Sequence, residues 1–328
     1  MEQMVTKMEQ GKKIVTVDLW ATTEQSCLNW IRLNQSTIRA ETYQGLTDAV
    51  AADPTTHGCN LGQRLILPSS FTGSSRNMIQ HCQDALAINR HFHGADLFLT
   101  MTADPNWPEI TEALLPGQTT ADRPDLVVRV FRKKAEEIRD DLFKRGYLGQ
   151  TAACVWTIEY QKRGLPHMHM IIFLDPNSKL CTPEDVDTLL SAEFPDEEEE
   201  PELLELVKKH MVHTPCGPNN PNAPCMKDGK CSKGFPKPFR DETTINEDSY
   251  ANLRRCNTGM TYQVRGHQVD NRWVVPYPCF WLWKFHCHIN MECMMALALC
   301  ILSIKAIKYI YKYVYKGHDC TTMEFGST

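Results

Sequence analysis

The chain has 328 residues, of which 42% are hydrophobic and 23% are charged, so its composition excludes a disordered protein and suits one large domain or two smaller ones. Its net charge of −5 gives no overall preference for nucleic acid. The longest apolar run, Met294 to Leu302, is about half of what a membrane span requires, and no secretory signal opens the chain, so we expect a soluble protein without a membrane partner.

The spacing of apolar residues and the positions of Gly and Pro predict the following elements in chain order. Residues 14–50 are predicted to be mainly helical, and residues 65–75 to be extended and rich in turns. The next elements are a helix over 75–93, a strand over Asp96–Thr102, a helix over Asp125–Arg145, a strand over Ala152–Tyr160 and a strand over His167–Leu174. A strand and a helix followed by a hairpin predict an α+β fold with a central antiparallel sheet flanked by helices.

The second strand of the hairpin begins with the most informative local motif, His167-Met168-His169. Residues i and i+2 of a strand point to the same face, so both imidazoles project together while Met168 packs behind them. Glu159, on the partner strand, can lie close to the pair. Two imidazoles and a carboxylate suit a divalent cation with positions left open for substrate oxygens. The alternative is a pair of half-exposed histidines that merely alternate along a strand.

The sequence changes character after the hairpin. The run EFPDEEEEPE, Glu193 to Glu202, predicts a solvated acidic linker. Residues 213–240 are too rich in Cys, Pro and Gly for core strands. Most of the candidate zinc ligands lie in this segment, and the full set is His210, His213, Cys216, Cys225 and Cys231. The three cysteines are spaced C-x8-C-x5-C. A structural Zn²⁺ needs four nitrogen or sulfur ligands and would give such a segment order. The spacing matches no standard zinc finger, and free thiols in a loop are the alternative.

The last predicted element is a long helix from about Lys284 to Lys316, ended by Gly317. Apolar residues at i, i+3, i+7 and i+10 from Ile304 form the stripe expected to face the core. Tyr309 and Tyr313 lie one turn apart on another face. Candidate DNA-binding lysines share that basic and aromatic face: Lys305, Lys312 and Lys316.

A tyrosine hydroxyl has an ordinary pKa of about 10, so it is a poor nucleophile until a cation stabilises its phenolate. Attack on a phosphodiester also requires a Lewis acid on the non-bridging oxygens. The lysines of this helix meet the first need, and a metal held by two histidines and a glutamate meets the second. Two tyrosines allow two successive transesterifications. The alternative is a packing helix whose lysines extend along its surface to solvent.

Taken together, FLTMT, WTIEYQKRGLPHMHMIIFL and KYIYKYVYKG resemble the Rep-type HUH endonuclease of Helitron transposons, and more specifically the Helitron helicase-like N-terminal domain. The similarity extends over most of the chain. It includes further phrases in the same order, among them LPSSFTGSSRNMIQHCQDALAI, TADPNWPEI, LLPGQTTADRPDLVVRVF, HTPCGPNNPNAPCMKDGKCSKGFPKPF, RWVVPY and HINME.

The resemblance implies an HUH/Rep-like sheet in which His167 and His169 bind Mg²⁺ or Mn²⁺, with Glu159 as the third ligand. It also implies that Tyr309 and Tyr313 are the paired nucleophiles of rolling-circle transposition, acting on the single-stranded DNA of transposon ends and target. Family members normally carry a helicase downstream, whereas this sequence contains no G-x-x-x-x-G-K-[ST] loop, so we expect the helicase domain to be absent. The joint between HINME and KYIYKY is longer than in the family.

These inferences divide the chain into four parts. They are an N-terminal accessory helical and extended region over 1–88, the metal-site sheet core over 89–178, the acidic linker with its Cys/His-rich insertion over 179–283, and the tyrosine helix over 284–328. The predicted activity is metal-dependent nicking and strand transfer of single-stranded DNA, in the nucleus because genomic DNA is there, or otherwise in the cytosol. Alternatives are a catalytically inactive DNA-binding fragment of a decayed Helitron transposase and a hydrolase that uses activated water.

Overall fold

The computed structural model describes residues 2–35, 37–38, 66–161, 164–213, 216–217, 220–245 and 251–294. The part of the predicted tyrosine helix that carries both candidate nucleophiles and all three candidate DNA-binding lysines lies outside these residues. Within them, no helix combines the length and the apolar character needed to cross a membrane. The chain divides into two compact units, Met1–His81 and Cys82–Thr328.

The helices and strands are numbered in chain order. The helices are α1 (Glu2–Leu33), α2 (Ser75–His91), α3 (Pro108–Thr111), α4 (Pro124–Phe143), α5 (Pro183–Leu189), α6 (Pro201–His210) and α7 (Cys279–Phe285). The strands are β1 (Leu97–Thr102), β2 (Thr151–Tyr160), β3 (Pro166–Leu174), β4 (Met226–Lys227), β5 (Lys230–Cys231), β6 (Thr244–Ile245), β7 (Ala251–Asn252), β8 (Tyr262–Val264), β9 (His267–Val269) and β10 (Ile289–Cys293). The predicted strands around residues 96–102, 152–160 and 167–174 and the predicted helices around 75–93 and 125–145 are confirmed.

The first unit contains helix α1, which begins earlier than the predicted residue 14 and ends at Leu33. The unit also holds the turns of residues 66–74 and the beginning of α2. Ser74 caps α2, since its hydroxyl oxygen accepts a hydrogen bond from the backbone N–H of Asn77 at 3.0 Å.

The second unit is built around a four-stranded antiparallel sheet with the strand order β10-β1-β3-β2. Its apolar face presents Leu97, Leu99 and Met101 of β1 together with Met168, Met170 and Ile172 of β3. Helix α4 packs against this face through residues at helical spacing, namely Val127, Phe131, Ala135 and Ile138. Burying one such large side chain contributes about 1.5–3 kcal/mol. The fold is therefore α+β, as predicted.

The prediction of a continuous helix from Lys284 is wrong within the described residues. Helix α7 ends at Phe285, and His286 follows it in a left-handed conformation with a φ of 47°. Strand β10 comes next, with buried Ile289, Met291 and Cys293 alternating with more exposed residues. It pairs with β1 along the edge that β3 does not use. Pairing satisfies the backbone N–H and C=O groups of that edge, which a helix at this place would leave without partners.

The prediction of a solvated linker holds only for the middle of the acidic run. Glu193 is largely buried, and its carboxylate accepts hydrogen bonds from the backbone N–H of Cys256 and from Nε of Arg254. Asp196 accepts from the backbone N–H of Glu198 at 2.8 Å and so closes a turn. Helix α6 then begins at Pro201. The residues from Asp196 to Glu202 are exposed.

Candidate metal centre

His167 and His169 lie on β3, one of the two inner strands of the sheet. Met168 between them is buried in the core under α4, so both histidines face the opposite side of the sheet. The register of β2 places Glu159 directly across from His167. The register of β1 places Thr102 across from His167 and Thr100 across from His169. Three residues on the two neighbouring strands, Glu159 of β2 and Thr100 and Thr102 of β1, thus face the histidine pair.

The structure brings together the three residues that the sequence predicts as metal ligands. Oε1 of Glu159 is 3.5 Å from Nε2 of His169. The two imidazole rings meet edge to face, with centroids 4.5 Å apart. One donor atom from each residue lies within 4.8 Å of the donors of the other two. Ligands that share one divalent ion at about 2.1 Å are separated by at most about 4.3 Å, so small side-chain rotations would close the site around an ion.

Two threonines that the sequence argument missed hold the histidine rings. The Thr102 hydroxyl oxygen is 2.7 Å from Nδ1 of His167, and the Thr100 hydroxyl oxygen is 3.4 Å from Nδ1 of His169. In the tautomer that leaves Nε2 for a metal, each Nδ1 carries a proton and donates a hydrogen bond to the hydroxyl oxygen of the threonine. The signal was present in FLTMT, because threonines at i and i+2 share the strand face opposite to buried Leu99 and Met101.

Burial keeps both imidazoles neutral. His167 is 8% exposed and His169 is 2% exposed, so both histidines are buried rather than half-exposed. Burial lowers the pKa of His167 to about 3, with the neighbouring charges of His169 and His288 acting in the same direction. Burial, followed by the positive charge of Lys233, lowers the pKa of His169 to about 4. A neutral imidazole is the form that binds a metal ion.

His210, predicted among the candidate zinc ligands, lies elsewhere. It is the last residue of α6, and its Nε2 is 3.7 Å from a carboxylate oxygen of Asp104, just beyond the end of β1. Its backbone carbonyl oxygen accepts a hydrogen bond from Nδ1 of His288 at 2.9 Å. The helix fixes this direction, because His210 is still within the last turn of α6, whereas His213 follows in irregular chain.

The four other candidate zinc ligands do converge. His213, Cys216, Cys225 and Cys231 each offer one donor atom within 4.8 Å of the others. The Nε2 of His213 is 3.6 Å from the Cys231 sulfur and 3.8 Å from the Cys216 sulfur. This group, called the Cys/His tetrad below, could hold a metal ion such as Zn²⁺.

An open groove lies near the end of β1. Its lining includes Lys208 and Lys209 of α6, Arg265, His286 and the half-exposed ring of Trp283. Lys209 connects this groove to the chain just after β1, since its Nζ donates a hydrogen bond to the carboxylate of Asp104 at 3.3 Å. The residues that line the groove come from three separate segments, so no local sequence pattern predicts it.

The comparisons with known proteins concern the first half of the chain. The family described as "Helitron helicase-like domain at N-terminus" matches residues 5–172. The match covers more than half of the chain and includes Glu159, His167 and His169. No curated protein matches the chain. On the strength of the family match, the chain belongs to the family of the Helitron helicase-like N-terminal domain.

Proposed function

We propose that the chain nicks single-stranded DNA and transfers the cut strand through a tyrosine nucleophile, as HUH/Rep-type endonucleases do. The observation that carries this proposal is the buried group of two neutral histidines and one carboxylate, with a threonine hydroxyl at each imidazole. Membership of a Helitron-related family points to the same transposon chemistry.

Glu159, His167 and His169 would hold the cation. Two nitrogen donors and one carboxylate form a partial shell that leaves positions for phosphate oxygens, which suits Mn²⁺ or Mg²⁺. When bound, the cation would supply Lewis-acid polarisation of a non-bridging phosphate oxygen. The threonines orient the imidazoles, and burial on the sheet face prevents their protonation at neutral pH.

Basic and aromatic groups near the site support single-stranded DNA as the substrate. The positive charge of Lys233 contributes to the lowered pKa of His169. Lys208, Lys209 and Arg265 line the groove near the end of β1. The ring of Trp283 is 54% exposed on that groove and offers a flat surface for stacking a base. Such stacking requires unpaired bases, which favours a single strand over a duplex.

Tyr309 and Tyr313 are the proposed nucleophiles. The tyrosine oxygen forms a bond to phosphorus and gives up its proton to solvent. The bond between phosphorus and the leaving deoxyribose oxygen breaks, and that oxygen takes up a proton. The energy of the phosphodiester is kept in the phosphotyrosine link, so a strand hydroxyl can reverse the reaction and join a new strand. A second tyrosine allows one strand to be held while another is cut.

The test uses the full chain, several single-stranded oligonucleotides labelled at the 5′ or the 3′ end, and Mn²⁺ or EDTA. Denaturing protein gels should show a labelled covalent adduct only with Mn²⁺, and the label that is retained identifies the DNA end attached to tyrosine. We expect the adduct to be lost in His169→Ala and reduced or lost in Tyr309→Phe or Tyr313→Phe. Tyr160→Phe is the matched control, since Tyr160 is half-exposed next to Glu159 and should not be required.

Two outcomes would overturn the proposal. DNA binding without any adduct would identify the chain as a catalytically inactive DNA-binding protein. Cleavage that persists when both Tyr309 and Tyr313 are replaced would identify a hydrolase that uses activated water.

A further inference from the structure

The Cys/His tetrad lies in a part of the chain that the family match does not cover. His213 follows an isolated bridge between Val212 and Val274, and Cys216 is buried close behind it. Cys225 precedes β4, and Cys231 ends β5. The family match ends at residue 172, before the first ligand of the tetrad.

We propose that His213, Cys216, Cys225 and Cys231 form a structural Zn²⁺ site. In a tetrahedral site with Zn–S bonds of about 2.3 Å and Zn–N bonds of about 2.05 Å, nitrogen and sulfur lie about 3.6 Å apart. The two distances from His213 Nε2 to sulfur are 3.6 and 3.8 Å. Four protein ligands leave no position for water or substrate, which is the pattern of a structural rather than a catalytic zinc.

The backbone around Cys231 is shaped as a metal-binding turn. The backbone N–H groups of Lys233 and Phe235 donate hydrogen bonds to its sulfur and so fix its position. The N–H of Gly234 donates to the carbonyl of Cys231 at 2.9 Å, and Gly234 has a φ of 69°. The ring of Phe235 stacks on His213 with centroids 4.3 Å apart. These contacts orient two of the four ligands.

A short hairpin brings Cys225 and Cys231 together. Strands β4 and β5 are joined by Asp228 and Gly229, both with positive φ, as the tight turn of a two-residue hairpin requires. Outside the hairpin, the N–H of Ser232 donates to the carbonyl of Cys225 at 2.8 Å. The sulfurs therefore meet because of backbone pairing rather than by chance contact of mobile loops.

The apolar cluster around the tetrad is small. Its buried members are Val212, Cys216, Ala223, Val264, Val269 and Trp273. So few buried side chains contribute little to the ordering of an irregular segment, whereas a structural zinc commonly supplies about 10 kcal/mol or more of binding free energy. The site would thereby fix the turn that carries Lys233, whose charge acts on His169. This last consequence rests on the proposed function, but zinc binding itself does not.

The first test is the zinc content of the purified full chain and of its variants. We expect one zinc per chain, lost in Cys231→Ser and in His213→Ala. The variant His213→Cys keeps four ligands and should retain zinc. Two controls should also retain it: His210→Ala, because His210 lies near Asp104, and Cys181→Ser, because Cys181 is exposed outside the tetrad. Zinc retained in both Cys231→Ser and His213→Ala would overturn the site.

A second measurement keeps the test valid if the ligand variants fail to fold. The unaltered chain, loaded with Co²⁺ in place of zinc, should show thiolate-to-cobalt charge transfer and the visible bands of tetrahedral cobalt. The double variant Glu159→Gln with His169→Ala should show the same spectrum, since it alters only the other metal centre. A spectrum without thiolate charge transfer would overturn the proposal. Zinc binding without a DNA adduct would overturn the proposed nicking activity alone, and an adduct formed by a chain without zinc would overturn the zinc site alone.

Discussion

Thr102 of β1 lies directly across from His167 of β3, and its hydroxyl oxygen is 2.7 Å from Nδ1 of the imidazole. The same register places Thr100 across from His169. Each histidine of the candidate metal centre therefore has its own hydroxyl partner on the neighbouring strand. This arrangement orients the rings and leaves Nε2 as the donor atom for a metal.

The first prediction concerns this hydroxyl. Thr102→Val keeps the shape of the side chain but removes the partner of His167, so we expect the affinity for Mn²⁺ to fall by about 10-fold. Calorimetric titration of the full chain with Mn²⁺ would measure the change. Thr151→Val is the matched control, because the buried hydroxyl of Thr151 has no hydrogen-bond partner among the described residues. Equal losses in the two variants would mean that the hydroxyl of Thr102 does not orient a ligand.

The second prediction concerns Lys233, which lies in the turn after Cys231. Lys233→Ala should weaken the binding of single-stranded DNA and reduce the dependence of log affinity on log salt by about 0.7, the value for one phosphate contact. Fluorescence anisotropy at several salt concentrations would measure both quantities. Lys133→Ala removes the same charge from α4, on the far side of the sheet, where the side chain is exposed. If both variants change the salt dependence equally, Lys233 is not a phosphate contact.

The third prediction concerns the pH dependence of stability without metal. Unfolding returns the pKa of His167 from about 3 to its ordinary 6.5. Between these values the unfolded chain binds more protons than the folded chain. The contribution of His167 is therefore fully present above pH 6.5 and is lost as the pH falls towards 3, by up to about 1.4 kcal/mol per pH unit.

Urea unfolding in EDTA at about pH 7.5 and about pH 5 would measure this loss. In His167→Gln the side chain no longer titrates, so the difference between the two pH values should be smaller than in the unaltered chain. His169, whose pKa is lowered to about 4, should add a similar effect. An unchanged difference in His167→Gln would contradict the prediction.

The fourth prediction concerns the ion pairs that attach α7 to α4. The carboxylate of Asp141 is 1% exposed and accepts hydrogen bonds from Nζ of Lys284 at 2.8 Å, from Nε1 of Trp281 at 3.0 Å, and from Arg145. Asp141→Ala leaves the buried indole N–H of Trp281 without its acceptor and removes one of the two carboxylates that pair with Lys284, so the free energy of unfolding should fall by about 3 kcal/mol.

The neighbouring residue provides the control. Asp140→Ala removes a carboxylate that pairs with Lys144 at the surface, and we expect little change in stability. Denaturant unfolding of the two variants would compare them directly. A similar loss in both would show that the contacts of Asp141 contribute no more than a surface pair. A large loss in Asp141→Ala alone would also explain how α7 is held in position before the chain enters β10.

Several elements of the fold follow from local patterns in the sequence. Alternating and helical periodicity located the hairpin of β2 and β3, strand β1 and helix α4, because burying one face requires those periods. The same alternation placed His167 and His169 on one face. The hairpin connection was enough to bring Glu159 near them, since a short turn allows few registers.

Contacts between segments that are distant in sequence could be read only from the folded chain. Strand β10 forms where β1 offers an edge. The alternation of Ile289, Met291 and Cys293 fits a strand, but so short a segment is not enough to exclude a helix by periodicity alone. His213 rather than His210 joins the three cysteines because α6 ends at His210. The effect of Lys233 on the pKa of His169 depends on the fold of the segment that carries the Cys/His tetrad. Such contacts are set by sheet register and by packing between elements, which composition and periodicity do not encode.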